Sequence, residues 1–273
     1  MSLVSTDWVE KNNSSLKIID CSWHMPNVNR DPYKEYLDSH IENSLFFDLD
    51  KNSDLKTDLP HMLVKSDEWE KIVSKMGITN KDRIVIYDNS DVLSSCRCWY
   101  NFLYFGHDRN LVHVLDGGLK KWNLEKKQTT KKILEIKNTK YISSEIKNLV
   151  INKSQININI KEKKFRVIDA RSRDRFEGKV EEPRKGLRSG SIPNSLCIPF
   201  REFINDDNTF KNQKEIIKIF KNTLGEEMTP NVVFSCGSGV TASVLALAYS
   251  LINNKYMPTI YDGSWAEYGK IKI

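Results

Sequence analysis

No stretch of this sequence approaches the roughly 18 consecutive apolar residues that a membrane-crossing helix needs. The first residues, Met1 to Trp8, carry no basic stretch followed by an apolar one, so no secretion signal is visible and a reducing, cytoplasmic setting is expected. Cysteine is scarce and irregularly spaced. The five residues Cys21, Cys96, Cys98, Cys197 and Cys236 are odd in number and do not make a disulfide framework. No CxxC pair and no Cys/His cluster has zinc-ligand spacing, so neither a metal nor another cofactor is expected. A basic stripe interleaved with aromatics is also missing. The net charge of +6 comes from scattered lysines, which excludes an obvious nucleic-acid partner and at most draws in small anions. What the chain does have is 39% hydrophobic residues, enough for packed cores. Its 273 residues make one large domain or two ordinary ones.

An internal repeat decides for two. The segment LKIIDCSWHM (Leu16–Met25) is similar to FRVIDARSRD (Phe165–Asp174), and HIENSLFFDLD (His40–Asp50) to SIPNSLCIPF (Ser191–Phe200). RIVIYDNSD (Arg83–Asp91) matches NVVFSCGSG (Asn231–Gly239), and VHVLDGGLKKW (Val112–Trp122) matches PTIYDGSWAEY (Pro258–Tyr268). The four matches keep their order at an offset of about 150 residues. In each half, short β-branched runs such as Ile84–Tyr87 and Val232–Phe234 alternate with helix-like stretches such as Ser66–Met76 and Lys214–Leu224. That alternation predicts an α/β fold, each half a parallel sheet with helices on both faces. The expected organisation is a first domain over 1–130, a linker over 131–142 and a second domain over 143–273 that begins as a helix near Ser143–Ile151. Strand-end aspartates Asp169, Asp262 and Asp116 are expected to bond loop N–H groups and to be structural.

The stretch VVFSCGSGVTASVLALAYS (Val232–Ser250) carries the chemistry. An apolar strand runs into Cys236, Gly237 and Gly239 follow, and an apolar helix begins near Thr241. Glycines that tolerate positive φ let successive backbone N–H groups turn inward at a helix N-terminus, where the dipole favours negative charge. A cysteine there has its thiolate stabilised, and the thiolate is the nucleophile. The repeat supplies a control. The first half has Asp88 where the second has Cys236, and the following residues lack the glycines, so covalent chemistry is expected only in the second half.

With CGSGVTA come FFDLD, SDVLSSCRCW, LDGGLKKW, VIDARSRDRFEGKVEEPRKGLRSGSIPNS and YDGSWAEYG. Together they resemble, over nearly the whole chain, the tandem rhodanese-domain enzymes, the 3-mercaptopyruvate and thiosulfate sulfurtransferases. The resemblance implies two rhodanese-like domains, the first catalytically inactive. Thiosulfate-preferring members place Arg and Lys after the cysteine; Gly237 and Ser238 stand here instead, as in the 3-mercaptopyruvate enzymes. It further implies that Arg175 and Arg184 hold the substrate carboxylate and carbonyl, for which a planar guanidinium fork is suited. Gly237, Gly239, Val240 and Thr241 would complete the substrate-binding loop. Ser238, His61 and Asp50 match a serine–histidine–aspartate relay reaching across an interdomain cleft, although His61 taken alone reads equally as a satisfied structural histidine. Ser191 and the turn IPNS depart from the family's histidine and IPGA, in loops away from the site.

The expected reaction is covalent and ping-pong. Cys236 takes the sulfur of 3-mercaptopyruvate as a persulfide, pyruvate leaves, and a thiol acceptor such as thioredoxin or glutathione, or cyanide, takes the sulfur on. Three alternatives stay open: a thiosulfate sulfurtransferase, a non-catalytic sulfur-carrier or binding module, and a cysteine-loop phosphatase. The last requires an arginine at the sixth position after the cysteine, where this chain has Ala242.

Overall fold

Five short runs in each half are apolar enough to be buried, and these become the strands. In the computed structural model, residues 2–226, 228, 231–253, 256 and 258–271 are described; Met1 and Ile273, which bound the expected domains, lie outside them. The chain forms two compact units. The first contains Met1–Asp54, Leu63–Ile146 and Asn205–Thr209; the second contains Leu55–Met62, Lys147–Ile204 and Phe210–Ile273.

The first unit holds β1 (Leu3–Val4), β2 (Lys17–Asp20), β3 (Ser44–Phe46), β4 (Ile84–Tyr87) and β5 (Val112–Leu115). They form an all-parallel sheet in the order β1-β5-β4-β2-β3. The second unit holds β6 (Val150–Ile151), β7 (Arg166–Asp169), β8 (Leu196–Cys197), β9 (Val232–Ser235) and β10 (Thr259–Tyr261), again all parallel, in the order β6-β10-β9-β7-β8. Adding five to each strand number of the first sheet gives the second, so the sequence repeat is a repeat of topology.

Helices connect the strands and cover them. In the first unit Ile18, Val85 and Tyr87 of the sheet pack with Val9, Leu119 and Trp122 from flanking helices. A further aromatic cluster joins helices Ser66–Lys75 and Ser95–Tyr104, where Trp69 stacks on Phe105 at 4.7 Å and meets Phe102 edge-on at 5.1 Å. In the second unit the helix Val240–Ile252 is apolar all round and correspondingly buried, which fixes the end of β9 against the core.

One sequence expectation is corrected, and the linker expected over 131–142 is docked. Thr139 donates its N–H to Ser74 O and its hydroxyl to Ile78 O, and Tyr141 is buried parallel to His107, so the segment closes onto the first unit. The helix expected near Ser143–Ile151 begins later, at Lys153–Glu162. Val150 and Ile151 are used as strand β6 beside Ile260 and Tyr261, and Asn152 then starts the helix through a capping box with Gln155.

The aspartate ending β2 is costly. Asp20 is buried, accepts from the N–H and hydroxyl of Ser22, and is pushed up to about 6 by burial. A raised carboxyl pKa means that the folded chain binds the proton more tightly than the unfolded one. This group's contribution is therefore fully present below the unfolded value and is lost as pH rises through the folded one. Asn at position 20 cannot ionise. In urea titrations Asp20→Asn should gain about 2 kcal/mol relative to wild type between pH 4.5 and pH 7.5. A pH-independent difference would contradict the buried-carboxylate account.

Candidate active site

Strand β9 ends at Ser235, and the chain must reverse into the helix Val240–Ile252 within four residues. Gly239 makes the turn with φ +81°, a conformation that L side chains avoid. The helix that follows has no carbonyl partners for its first N–H groups, and Val240 and Thr241 form that first turn. Cys236 therefore sits at the positive end of a helix dipole, 2% exposed, with the Ser238 N–H directed to its Sγ at 3.4 Å.

Ser264 holds this loop from behind. Its Oγ accepts from Cys236 N–H and Gly239 N–H, each at 3.2 Å, and donates to Tyr261 O. Next along the chain, Trp265 N–H donates to Cys236 O and Ala266 N–H to Gly237 O, both at 2.9 Å. The first unit repeats part of this pattern: Leu119 N–H donates to Asp88 O at 2.9 Å. There, Gly118 stands at the place of Ser264, and both share the left-handed region, with φ +55° and +47°. Glycine is free there and serine is strained, so the serine is retained for its hydroxyl. Asp88 uses its carboxylate differently from a thiol, accepting from Ser90 N–H and Ser95 N–H.

Around Cys236 the structure brings together most of the residues expected from sequence. Ser238 Oγ lies 2.9 Å from His61 Nδ1 and accepts from Arg184 Nη2 at 3.3 Å. With Arg184 donating, the hydroxyl hydrogen of Ser238 is available to His61. His61 belongs to the Leu55–Met62 segment grouped with the second unit, is buried, and has φ +60°, an uncommon conformation for a residue with a side chain. Arg175 and Arg184 flank Gly237: a Cβ there would lie 3.4 Å from Arg175 Nη2 and from Arg184 Nη1. Beside Arg184 a cavity of about 330 Å³ is walled by Leu59, Pro60, Leu187, Ala266 and Ile271. Asp50 lies in the first unit, where its carboxylate accepts from Trp23 Nε1 at 3.0 Å.

Three residues went unassigned in the sequence. Arg171 and Glu182 form a buried chain of charge with Asp169 and Arg175, and Ser264 clamps the loop. The Ser264 signal was present as GS in YDGSWAEYG against GG in LDGGLKKW; Arg171 and Glu182 had no periodicity to reveal them. Burial acts on three of the other cysteines. It pushes Cys21 and Cys96 well above the usual thiol range and Cys197 up to about 12, so these three remain protonated near neutral pH. Among the described residues no group of side chains is arranged to hold a metal ion, and no helix is long and apolar enough to cross a membrane.

Two segments, 5–125 and 153–270, match the rhodanese-like domain. The chain belongs to the rhodanese family. Its rhodanese repeats are accompanied by full-length relatives. It is 38% identical over 289 aligned positions to thiosulfate/3-mercaptopyruvate sulfurtransferase 1, mitochondrial, of Arabidopsis thaliana, covering 97% of this chain and 75% of that one. It is 33% identical to the 3-mercaptopyruvate sulfurtransferase of Mus musculus, covering 97% and 91%. Among solved structures, SseA from Escherichia coli, a 3-mercaptopyruvate sulfotransferase, superposes with a TM-score of 0.85 at 28% identity over 97% of this chain and 99% of its own.

The Ser264 clamp has a measurable consequence. Ser264→Gly relieves the backbone strain but leaves two buried loop N–H groups without an acceptor, at a cost of about 1–3 kcal/mol each. Chemical denaturation should show a net loss of stability. A gain would mean that strain relief outweighs the two hydrogen bonds.

Proposed function

We propose that the chain is a sulfurtransferase that moves sulfur from 3-mercaptopyruvate through a persulfide on Cys236 to a thiol or to cyanide, releasing pyruvate. The observation that carries this reading is the pair of guanidinium groups, Arg175 and Arg184, on either side of the bare Gly237 next to Cys236. A 2-oxo acid presents a planar carboxylate and an adjacent carbonyl, and two arginine forks suit that pair. The relatives' own activities support the same donor.

In the proposed reaction, Arg175 and Arg184 orient the donor with its sulfur toward Cys236. The Cys236 thiolate attacks that sulfur, the S–S bond forms, and the carbon–sulfur bond breaks with its electron pair going to carbon. The enolate of pyruvate results and takes a proton at carbon. Ser238 is the proton donor, with His61 restoring the hydroxyl hydrogen. Backbone N–H groups of Gly237, Ser238, Val240 and Thr241 stabilise negative charge on the outer sulfur, whereas the Gly239 N–H is taken by Ser264 Oγ. In the second half-reaction an acceptor thiolate, from glutathione or a thioredoxin-like protein, takes that sulfur and returns the Cys236 thiolate; cyanide leaves as thiocyanate. For Asp50 as the third relay member, the proposal rests on the family resemblance alone. The first unit, with Asp88 in place of the cysteine, takes no covalent part. A reducing aqueous setting such as the cytoplasm suits a reactive thiol among free cysteines.

A thiosulfate-preferring enzyme is the second reading, favoured by the double name of the Arabidopsis relative. Against it, no side chain on Gly237 or Ser238 adds positive charge for a dianion. Steady-state transfer from 3-mercaptopyruvate and from thiosulfate, with Cys236→Ser as control, separates the readings. The expected result is a preference for 3-mercaptopyruvate and a fall of roughly 10³-fold or more in the control. Preference for thiosulfate would overturn the donor assignment. Absence of transfer from either donor would favour a binding module.

A further inference from the structure

Arg175 is held in an asymmetric way. Its Nε and Nη2 edge is bidentate on Glu182, at 3.2 Å to Oε1 and 2.6 Å to Oε2. Its Nη1 has no hydrogen-bond partner among the described residues, while Nη2, the atom held by Glu182, is the one 3.4 Å from where a Cβ on Gly237 would lie. Glu182 itself is only 1% exposed in its side chain and bridges a second guanidinium, with Arg171 Nη1 donating to Oε1 at 2.7 Å. Arg171 is anchored in turn. Its Nη2 reaches Asp169 Oδ2 at 2.7 Å and Gly190 O at 2.8 Å, and its guanidinium lies 4.5 Å from the centre of the Trp265 ring. Trp265 is the residue whose N–H donates to Cys236 O.

A continuous chain therefore runs from the nucleophile to the arginine: Cys236, Trp265, Arg171, Glu182, Arg175. Its charges alternate, with Asp169 and Glu182 against Arg171 and Arg175, which is the arrangement a buried ionic cluster needs to offset desolvation. The first unit contains a contrasting case. Glu35 clamps Arg30 through Nε and Nη2, both at 2.6 Å, but Arg30 Nη2 also donates to Asn89 O of the loop after β4, so that fork is turned onto the protein's own backbone. In the second unit the Arg175 Nε and Nη2 edge is bound to Glu182 without a backbone carbonyl, and Nη1 is the donor left over.

We infer that Glu182 is a positioning residue: it fixes the register between the Arg175 fork and Cys236, and thereby sets recognition of the donor's carboxylate. The inference rests on the reading of Arg175 as a donor-binding group. A guanidinium with five donors and a long flexible stem gains selectivity only if one edge is immobilised. Glu182 does this without touching the substrate. Its loss would leave Arg175 charged but free to rotate, and would act on carboxylate recognition rather than on attack at sulfur.

The test compares two donors that differ only in the carboxylate, 3-mercaptopyruvate and mercaptoacetone, in wild type and Glu182→Gln, with a fixed thiol acceptor. The wild type should favour 3-mercaptopyruvate. Glu182→Gln should raise KM for 3-mercaptopyruvate by about tenfold or more, leaving KM for mercaptoacetone and for the acceptor unchanged. Equal losses with both donors would show that Glu182 only supports the fold, and no loss with either would show that Arg175 is held without it; each overturns the inference. A wild type that does not distinguish the two donors would instead refute the donor-binding role of Arg175 and, with it, the inference. Should Glu182→Gln fail to fold, Glu182→Asp keeps the charge but is too short to bridge both guanidiniums, and is read against the same outcomes.

Discussion

The cysteine loop depends on its carbonyls and amides being held from one side by the segment that follows β10. Ser264, Trp265 and Ala266 between them bind Cys236, Gly237 and Gly239. With the carbonyls of Cys236 and Gly237 taken up there, the Ser238 N–H is directed to the sulfur of Cys236. Four residues of loop cannot hold such a shape alone, because ordering each costs about 1–2 kcal/mol of backbone entropy. The order comes from the sheet: β9 and β10 are parallel neighbours, so their C-terminal ends emerge together and present the two segments to each other. Parallel pairing is thus a precondition of the chemistry as well as of the core.

Much of this was legible in sequence. Strand β4 falls on Ile84–Tyr87 as its run of β-branched residues suggests, and the helices at Ser66–Lys75, Gln213–Leu224 and Val240–Ile252 follow their apolar spacing. The repeat located the sheets in pairs and exposed Asp88 as the counterpart of Cys236. What could not be read was the set of interactions made by charged residues far apart in the chain. Glu182 and Arg171 sit in a stretch without periodicity, and only the fold shows that both side chains are buried. The docking of the linker 131–142 was hidden for a related reason. It is polar and irregular, as tethers are, yet Thr139 and Tyr141 dock it onto the first unit through backbone carbonyls that no pattern announces.

The grouping of Leu55–Met62 with the second unit and of Asn205–Thr209 with the first is reciprocal. Each segment follows the third strand of its own half and is grouped with the other half's unit. His61 reaches Ser238 by this route, so the side chains gathered around Cys236 include one encoded on the first half of the sequence. Either half expressed alone would lack part of one unit.

The loop after β4 in the first unit is closed in a different way from the cysteine loop. Asp88 does more than omit a sulfur. Its two carboxylate oxygens accept from the N–H groups of Ser90 and Ser95, and the loop beyond it passes through Leu93 at φ +50° where the second unit turns at Gly239. Restoring a cysteine at position 88 would strip those amides of their acceptors without rebuilding the turn or a serine clamp at Gly118. A thiolate site in the first unit would therefore need changes at position 88, in the turn and at Gly118 together, and the change at position 88 alone would leave buried amides unpaired.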